Sequence, residues 1–183
     1  VITLLLSPED LTGDEVVVEG DAYRHLFRAR RVAAGDRLRV VDGRGSARWA
    51  RVTAVDRLQG RLELGAAAPD HEPGRRVELL VAALRKERAS WLVEKATELG
   101  VAAVRFFQTE RTPREFGDGT FERFRRVAAA SLEQCQRSRL PEISGMHSWD
   151  ELAGLLAAIP HRYFLDAAGS AWEVAGGVGP VAL

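Results

Sequence analysis

Short runs in which apolar residues alternate with polar ones, or cluster as β-branched groups, fill the first third of the chain. EVVVE (15–19), DRLRVVD (36–42), ARWARVTAV (47–55) and GRLELG (60–65) each read as a strand, since a period of two puts the apolar side chains on one face. DGRGS (42–46) joins two of them as a hairpin, because Asp-Gly tolerates the positive φ of a tight turn. DAYRHLFRARR (21–31) breaks this rhythm: Tyr23, Leu26, Phe27 and Ala29 line one side of a helix that Asp21 can cap. Several short strands and one helix predict a small β-barrel over residues 1–66.

GAAAPDHEPGRR (65–76) is small, polar and proline-bearing, the composition of a connection, and residues 67–76 read as a linker. Beyond it the pattern becomes strand, helix, strand. VELLVAAL (77–84) is a nearly continuous apolar run of the kind buried on both faces of a parallel sheet. KERASWLVEKATEL sets Leu92, Ala96 and Leu99 on one helical stripe before Gly100 stops it, and VAAVRFF (101–107) is a second buried strand. Together they predict a βαβ unit. A long helix follows, with Phe121, Phe124, Val127, Ala128, Ser131, Leu132 and Cys135 on its packing face, and Pro141 is expected to end it within RLPEI. The amphipathic SWDELAGLLAAI (148–159) leads to HRYFLDAAG as a third strand, and VAL at the end reads as the opening of another. The predicted fold class is therefore α/β: a small N-terminal β-barrel followed by an α/β domain with a mainly parallel sheet over 77–183.

Composition adds exclusions. A chain of 183 residues that is 46% hydrophobic and 28% charged belongs with folded globular proteins rather than disordered ones. The longest apolar runs, such as LLVAAL (79–84), are too short to span a bilayer, and no basic-then-apolar leader opens the sequence, so a cytoplasmic protein without membrane partners is expected. One cysteine, Cys135, excludes an internal disulfide, and with four scattered histidines it offers no metal-ligand spacing. Cys135 and His25 both read as packing groups. Net charge is zero, yet of 26 basic residues only Lys86 and Lys95 are lysines, and arginines gather at 24–31, 85–88, 123–126 and 137–139. Guanidinium clusters of this kind can follow an RNA backbone, or they can be solvated faces. Lys95 and Glu98, three apart on a helix, read as a structural pair.

HLFRARRVAAGDRLRVVDGRG, WLVEKATELGV, QTER and EQCQRSRLPEI, in this order and spacing, resemble the RsmE family of 16S ribosomal RNA (uracil-N3) methyltransferases. The resemblance implies a PUA-like barrel joined to a SPOUT-type domain with a trefoil knot, working as a homodimer, with S-adenosylmethionine as cofactor and 16S rRNA or the small ribosomal subunit as partner. In a sheet of parallel strands, functional groups collect in the loops at the carboxyl ends. On that basis Glu110 and Arg111 are the candidate catalytic residues. Arg28, Arg31, Arg85, Arg88, Gln134 and Arg137 are candidates for RNA contact, and Leu165 and Asp166 for the first wall of the cofactor site. For Glu110 and Arg111, and for Arg28 and Arg31, a purely structural or solvated role stands beside the functional one.

Three positions depart from the family's usual pattern. Gln136 stands where a glycine is usual, Phe106 where proline is common, and Lys86 where glycine is frequent. The family's Gly-Pro-Glu-Gly-Gly loop and later knot segment are not found in these residues, so the 183-residue chain alone is expected to bind S-adenosylmethionine weakly, to be inactive by itself and to expose an apolar surface. A non-catalytic RNA-binding protein is the alternative. A small-molecule α/β enzyme is weakened by the absence of a Gly-rich phosphate loop after a strand.

Overall fold

Alternation along the first third of the chain is spent on one face of a curled sheet. The computed structural model describes residues 1–110, 112, 116–169 and 181–182, which gather into two units: Val1–Glu72 with Leu132–Leu140, and Pro73–Ser131 with Pro141–Leu183. In the first unit β1 (Thr3–Leu5), β2 (Glu15–Val18), β3 (Arg37–Val41), β4 (Ala47–Val55) and β5 (Gly60–Ala67) form a five-stranded sheet in the order β1-β3-β4-β5-β2. β1 runs parallel to β3, and every other neighbour is antiparallel. Val16, Val18, Leu38, Val40, Ala50, Val52, Leu62 and Leu64 point into a core shared with Leu4, Tyr23, Leu26 and Phe27. Burying each of the larger aliphatic side chains contributes ~1.5–3 kcal/mol. The sheet is half a barrel, with β1 and β2 as its edges. β1 was not among the expected strands; its parallel partner lies far along the chain, so no local pattern announces it.

The expected helix is present in altered form: α1 (Gly20–Tyr23) continues as a π-helical turn over Arg24–Ala29. Asp21 does not cap it, because the helix begins one residue earlier; it pairs with Arg24 instead. The wide turn carries Tyr23 and Phe27 inward with ring centroids 5.2 Å apart, and the Tyr23 hydroxyl donates to the Asp56 carbonyl at 2.7 Å. Gly60 makes this packing possible, since a Cβ there would sit 2.2 Å from the Phe27 ring. His25 is exposed rather than packed, and its Nε2 accepts from Arg30 Nε at 3.1 Å.

β3 is buried on both faces. Leu38 and Val40 enter the core, while Arg39, 1% exposed, donates from Nη1 to the carbonyls of Gln136 (2.7 Å) and Arg137 (3.2 Å) and from Nη2 to that of Pro69 (3.1 Å). Of the expected linker, residues 67–72 belong to the first unit, bonded to it through Pro69, and residues 73–76 to the second. Glu72, within that linker, accepts from the guanidinium of Arg137 (2.7 Å) and from the backbone N–H groups of Ser138 (2.8 Å) and Arg139 (2.9 Å).

The second unit holds β6 (Val77–Ala82), α2 (Lys86–Glu98), β7 (Ala103–Phe107), α3 (Asp118–Cys135, its last turn belonging to the first unit), β8 (Glu142–His147), α4 (Trp149–Ala157), β9 (His161–Arg162) and β10 (Val181–Ala182). The sheet order is β8-β7-β6-β10-β9, and every pairing is parallel. The βαβ reading holds for β6, α2 and β7, and the residues at 181–182 do form a strand, one that lies inside the sheet. β9 is shorter than HRYFLDAAG suggested. β6 is less enclosed than a run of apolar residues implies: its one buried position is Glu78.

α2 turns a different stripe inward than expected. Ala89, Val93, Ala96 and Thr97 are buried, whereas Leu99, at the residue that closes the helix, is 79% exposed. Lys95 Nζ meets Glu94 at 2.7 Å and Glu98 at 2.9 Å, so the expected structural pair is a triplet. α3 buries the expected face: Phe121, Phe124, Ala128, Ser131 and Leu132. It ends before Pro141 has any influence, because Gln136 takes a left-handed conformation (φ 63°). This is the position where the resembled family usually has glycine. A side chain there is strained relative to glycine, partly offset by the greater freedom of glycine in the unfolded chain. Gln136→Gly is accordingly expected to add ~0.5–1 kcal/mol of stability, read as a rise of ~1–4 °C in melting temperature. A melting temperature that stays level or falls would remove the strain argument.

Candidate functional site

Because all five strands of the second unit run parallel, their carboxyl ends share one edge of the sheet. Arg85, the residue preceding α2, and Arg88 in its first turn follow β6, and both are exposed. Glu110, also exposed, follows β7. Leu165 and Asp166 follow β9; Leu165 is 69% exposed, and Asp166 closes a tight turn by accepting from Ala168 N at 2.9 Å. Phe164 beside them is 90% exposed. β6 and β7 are neighbours and β10 separates β6 from β9, a span of about 10 Å at the usual interstrand spacing. Arg111 lies outside the described residues. The topology thus brings the loops of Arg85, Arg88, Glu110, Leu165 and Asp166 to one edge.

Toward the opposite end of the same strands stands a charge network. Glu78, buried near the start of β6, accepts from Arg105 Nε (2.9 Å) and Arg76 Nε (2.9 Å), and Arg105 also reaches both oxygens of Glu142 at 3.1 Å. Burial alone would raise the Glu78 carboxyl pKa, but the hydrogen bonds and charge of Arg105, with Arg76, outweigh it and hold it below the usual carboxylate range. The network spans β6, β7 and β8 and serves as cross-strand structure.

The remaining candidates belong to the first unit. Arg28 is exposed, lies 5.6 Å from the Tyr23 ring centroid and donates to the Arg57 carbonyl at 3.0 Å. Arg31 is exposed and left-handed (φ 55°), at the end of the helical segment. Gln134 is exposed on the last turn of α3. Arg137 is a correction: it is 4% exposed and forked onto Glu72, so its guanidinium is committed to the fold rather than offered to RNA. Sequence reasoning missed the cluster of Arg39, Glu72 and Arg137. The one signal for it was an arginine in the middle of an otherwise apolar strand. For Glu72 too, desolvation raises the carboxyl, yet bonds from Arg137 and the Ser138 and Arg139 backbone bring it below its ordinary value.

Both carboxyls being depressed, the stability they contribute is present above their unfolded values and is lost as pH falls through the lower folded ones. The melting temperature is expected to hold down to roughly pH 4.5 and to drop below it. Glu72→Gln and Glu78→Gln should each flatten that acid limb in thermal melts recorded from pH 7 to 3; an unaltered limb in both would contradict the assignment.

Among the described residues no cluster of three histidine, cysteine or acidic side chains could hold a metal ion, and no helix is long and apolar enough to cross a membrane.

Comparison with known proteins adds to this geometry. The family described as "RNA methyltransferase domain" matches residues 71–174, and "RNA methyltransferase PUA domain" matches residues 18–64. The protein named ribosomal RNA small subunit methyltransferase E from Mycobacterium tuberculosis is 29% identical over 143 residues, covering 75% of this chain and 54% of that protein. Its namesake from Helicobacter pylori is 27% identical over 158 residues, covering 81% of this chain and 66% of that protein. The chain thus spans about half to two thirds of the length of these relatives. Among solved structures, a probable rRNA-methyltransferase from Porphyromonas gingivalis superposes with a TM-score of 0.77 at 26% identity, covering 100% of this chain and 78% of the other. A ribosomal RNA small subunit methyltransferase E from Neisseria gonorrhoeae bound to S-adenosyl methionine shares the fold, with a TM-score of 0.76 at 20% identity and coverages of 99% and 78%. The resemblance carried by the four sequence motifs is met by these findings, and since the first family accounts for more than half of its residues, the chain belongs to the RNA methyltransferase family whose members include ribosomal RNA small subunit methyltransferase E.

Proposed function

We propose that this protein methylates N3 of one uracil in 16S rRNA of the small ribosomal subunit, using S-adenosylmethionine, in the cytoplasm and as a knotted homodimer. The observation that carries the reading is the match of residues 71–174 to an RNA methyltransferase domain whose parallel strands direct Arg85, Arg88, Glu110, Leu165 and Asp166 to a common edge. The exposed side chains of Phe164 and Leu165 beside the Asp166 carboxylate suit the methyl donor, apolar surface for an adenine ring and an acceptor for ribose hydroxyls. Bound there, the cofactor supplies an electrophilic methyl group.

The other tasks fall to this chain. N3 lies on the pairing edge of uracil and carries a proton, so the base must be held unpaired and the proton must leave as the nitrogen becomes a nucleophile. In this reading Glu110 accepts that proton, and Arg111 stabilises the negative charge that develops on the flanking uracil oxygens. Arg85 and Arg88 hold the RNA backbone beside the edge, and Arg28, Arg31 and Gln134 are separate RNA contacts on the first unit. Orienting base and donor supplies much of the acceleration.

The test is a gene deletion followed by mass-spectrometric mapping of methyluridine in the ribosomal RNA. Loss of one N3-methyluridine, restored by the gene and not by its Glu110→Gln form, is the expected result. An unchanged methylation map would reject the enzymatic reading and leave RNA binding without chemistry.

A further inference from the structure

The hairpin DGRGS and the segment after α3, two of the stretches that carried the family resemblance, are bonded to each other in the first unit. Leu140 N donates to the Gly43 carbonyl at 2.8 Å and Gly45 N to the Ser138 carbonyl at 3.0 Å, so that Gly43 and Arg44 both bridge to Arg139. Glu72 fixes the second segment through the N–H groups of Ser138 and Arg139, and Asp42 fixes the hairpin by accepting from Arg44 N (2.7 Å) and Ser46 N (2.9 Å). Two arginines are thereby anchored on adjoining backbones, and both side chains are exposed. The Arg139 guanidinium lies across Gly45, where a Cβ would come 2.4 Å from its Nη2; Gly45, at φ 116°, both makes the turn and leaves room for that side chain.

Charge accounting around the pair decides what it can do. Glu72 is forked by Arg137, Asp42 is taken by the hairpin backbone, and Asp70, the acid within electrostatic reach of Arg139, accepts from Glu72 N (3.0 Å) and Ser138 Oγ (3.2 Å). Neither Arg44 nor Arg139 has an ion pair or a side-chain hydrogen bond among the described residues. Two exposed arginines on bridged backbones, with the nearby acids bonded to other groups, favour an anionic ligand with several acceptor oxygens.

We propose that Arg44 and Arg139 form a two-guanidinium clamp for a phosphodiester of the RNA backbone, a contact that positions the nucleic acid without reading its sequence. The inference rests on the RNA-modifying reading above and adds a place on the first unit where the strand is held.

The test is a fluorescence-anisotropy titration of the full 183-residue chain with a labelled transcript of small-subunit ribosomal RNA, repeated over a series of KCl concentrations. The Arg44→Ala/Arg139→Ala variant should bind about tenfold more weakly at low salt, equally so for a scrambled transcript, and its plot of log affinity against log salt should be shallower by about 1. Arg44→Lys/Arg139→Lys should recover most of the slope. Arg44→Ala alone, whose side chain supports no other group, must show part of the loss with an unchanged melting temperature, which separates binding from folding. Inorganic phosphate should displace the transcript no more than chloride does at equal ionic strength; full displacement by millimolar phosphate would reassign the clamp to a free anion. Wild-type affinity and slope in the double variant would overturn the clamp while leaving the function intact, whereas a wild-type chain that binds no RNA would count against both.

Discussion

Glu72→Ala is expected to destabilise the first unit by ~3–5 kcal/mol, the range for removing one partner of a buried ion pair. The carboxylate is 10% exposed and its partner Arg137 only 4%, so the guanidinium left behind would be uncompensated in a dry site. The loss also strands the N–H groups of Ser138 and Arg139, each of which now finds its acceptor in the same oxygen. Against a total stability of ~5–15 kcal/mol for a typical domain, this is a large fraction. Urea denaturation is the measurement. Replacing both partners, Glu72→Ala with Arg137→Met, should cost less than the sum of the single changes, because the second removes the charge that the first exposes. Additive losses would mean that the two side chains act independently.

Phe106→Ala should cost a similar ~3–5 kcal/mol for another reason, an unfilled cavity. Phe106 is fully buried on β7, with the rings of Phe116, Phe121 and Phe124 at 5.2, 6.4 and 5.3 Å. The cluster joins the sheet to the packing face of α3, so truncating its central ring removes contacts on several sides at once. Phe106→Leu, which keeps most of the volume, should cost less than half as much. Equal costs for the two variants would show that aromatic geometry rather than volume holds the cluster. The residue stands where the resembled family often has proline; here the ring supplies core.

What could be read from the chain beforehand divides along the range of the interactions involved. β2 to β5 announced themselves because alternation is local and the buried face needs only one partner surface. The α3 stripe and the Lys95–Glu98 pair were legible for the same reason, since neighbours on a helix are three or four residues apart. β1 was not, having no pattern of its own until β3 is beside it. Arg137 looked like an RNA-facing cation, and Arg39 passed as one residue of a strand, because their partners, Glu72 and three carbonyls, lie tens of residues away. The helix stop was misassigned to Pro141 since a left-handed glutamine carries no compositional mark. At the candidate site, the parallel topology gathered the predicted loops on one edge; Arg137 left the set because burial, unlike charge, cannot be read from a single segment.

Neither unit is a continuous stretch of polypeptide, and this has a consequence for how the protein is made. The half-barrel emerges first from a ribosome, yet Arg39 cannot satisfy its guanidinium until Gln136 and Arg137 have been synthesised. Val181, likewise, enters the second sheet beside Val77, from the far end of that unit. The hydrogen bonds of Arg39 and the second sheet must therefore wait for late residues, long-range contacts that slow folding and leave the nascent intermediate dependent on protection from aggregation.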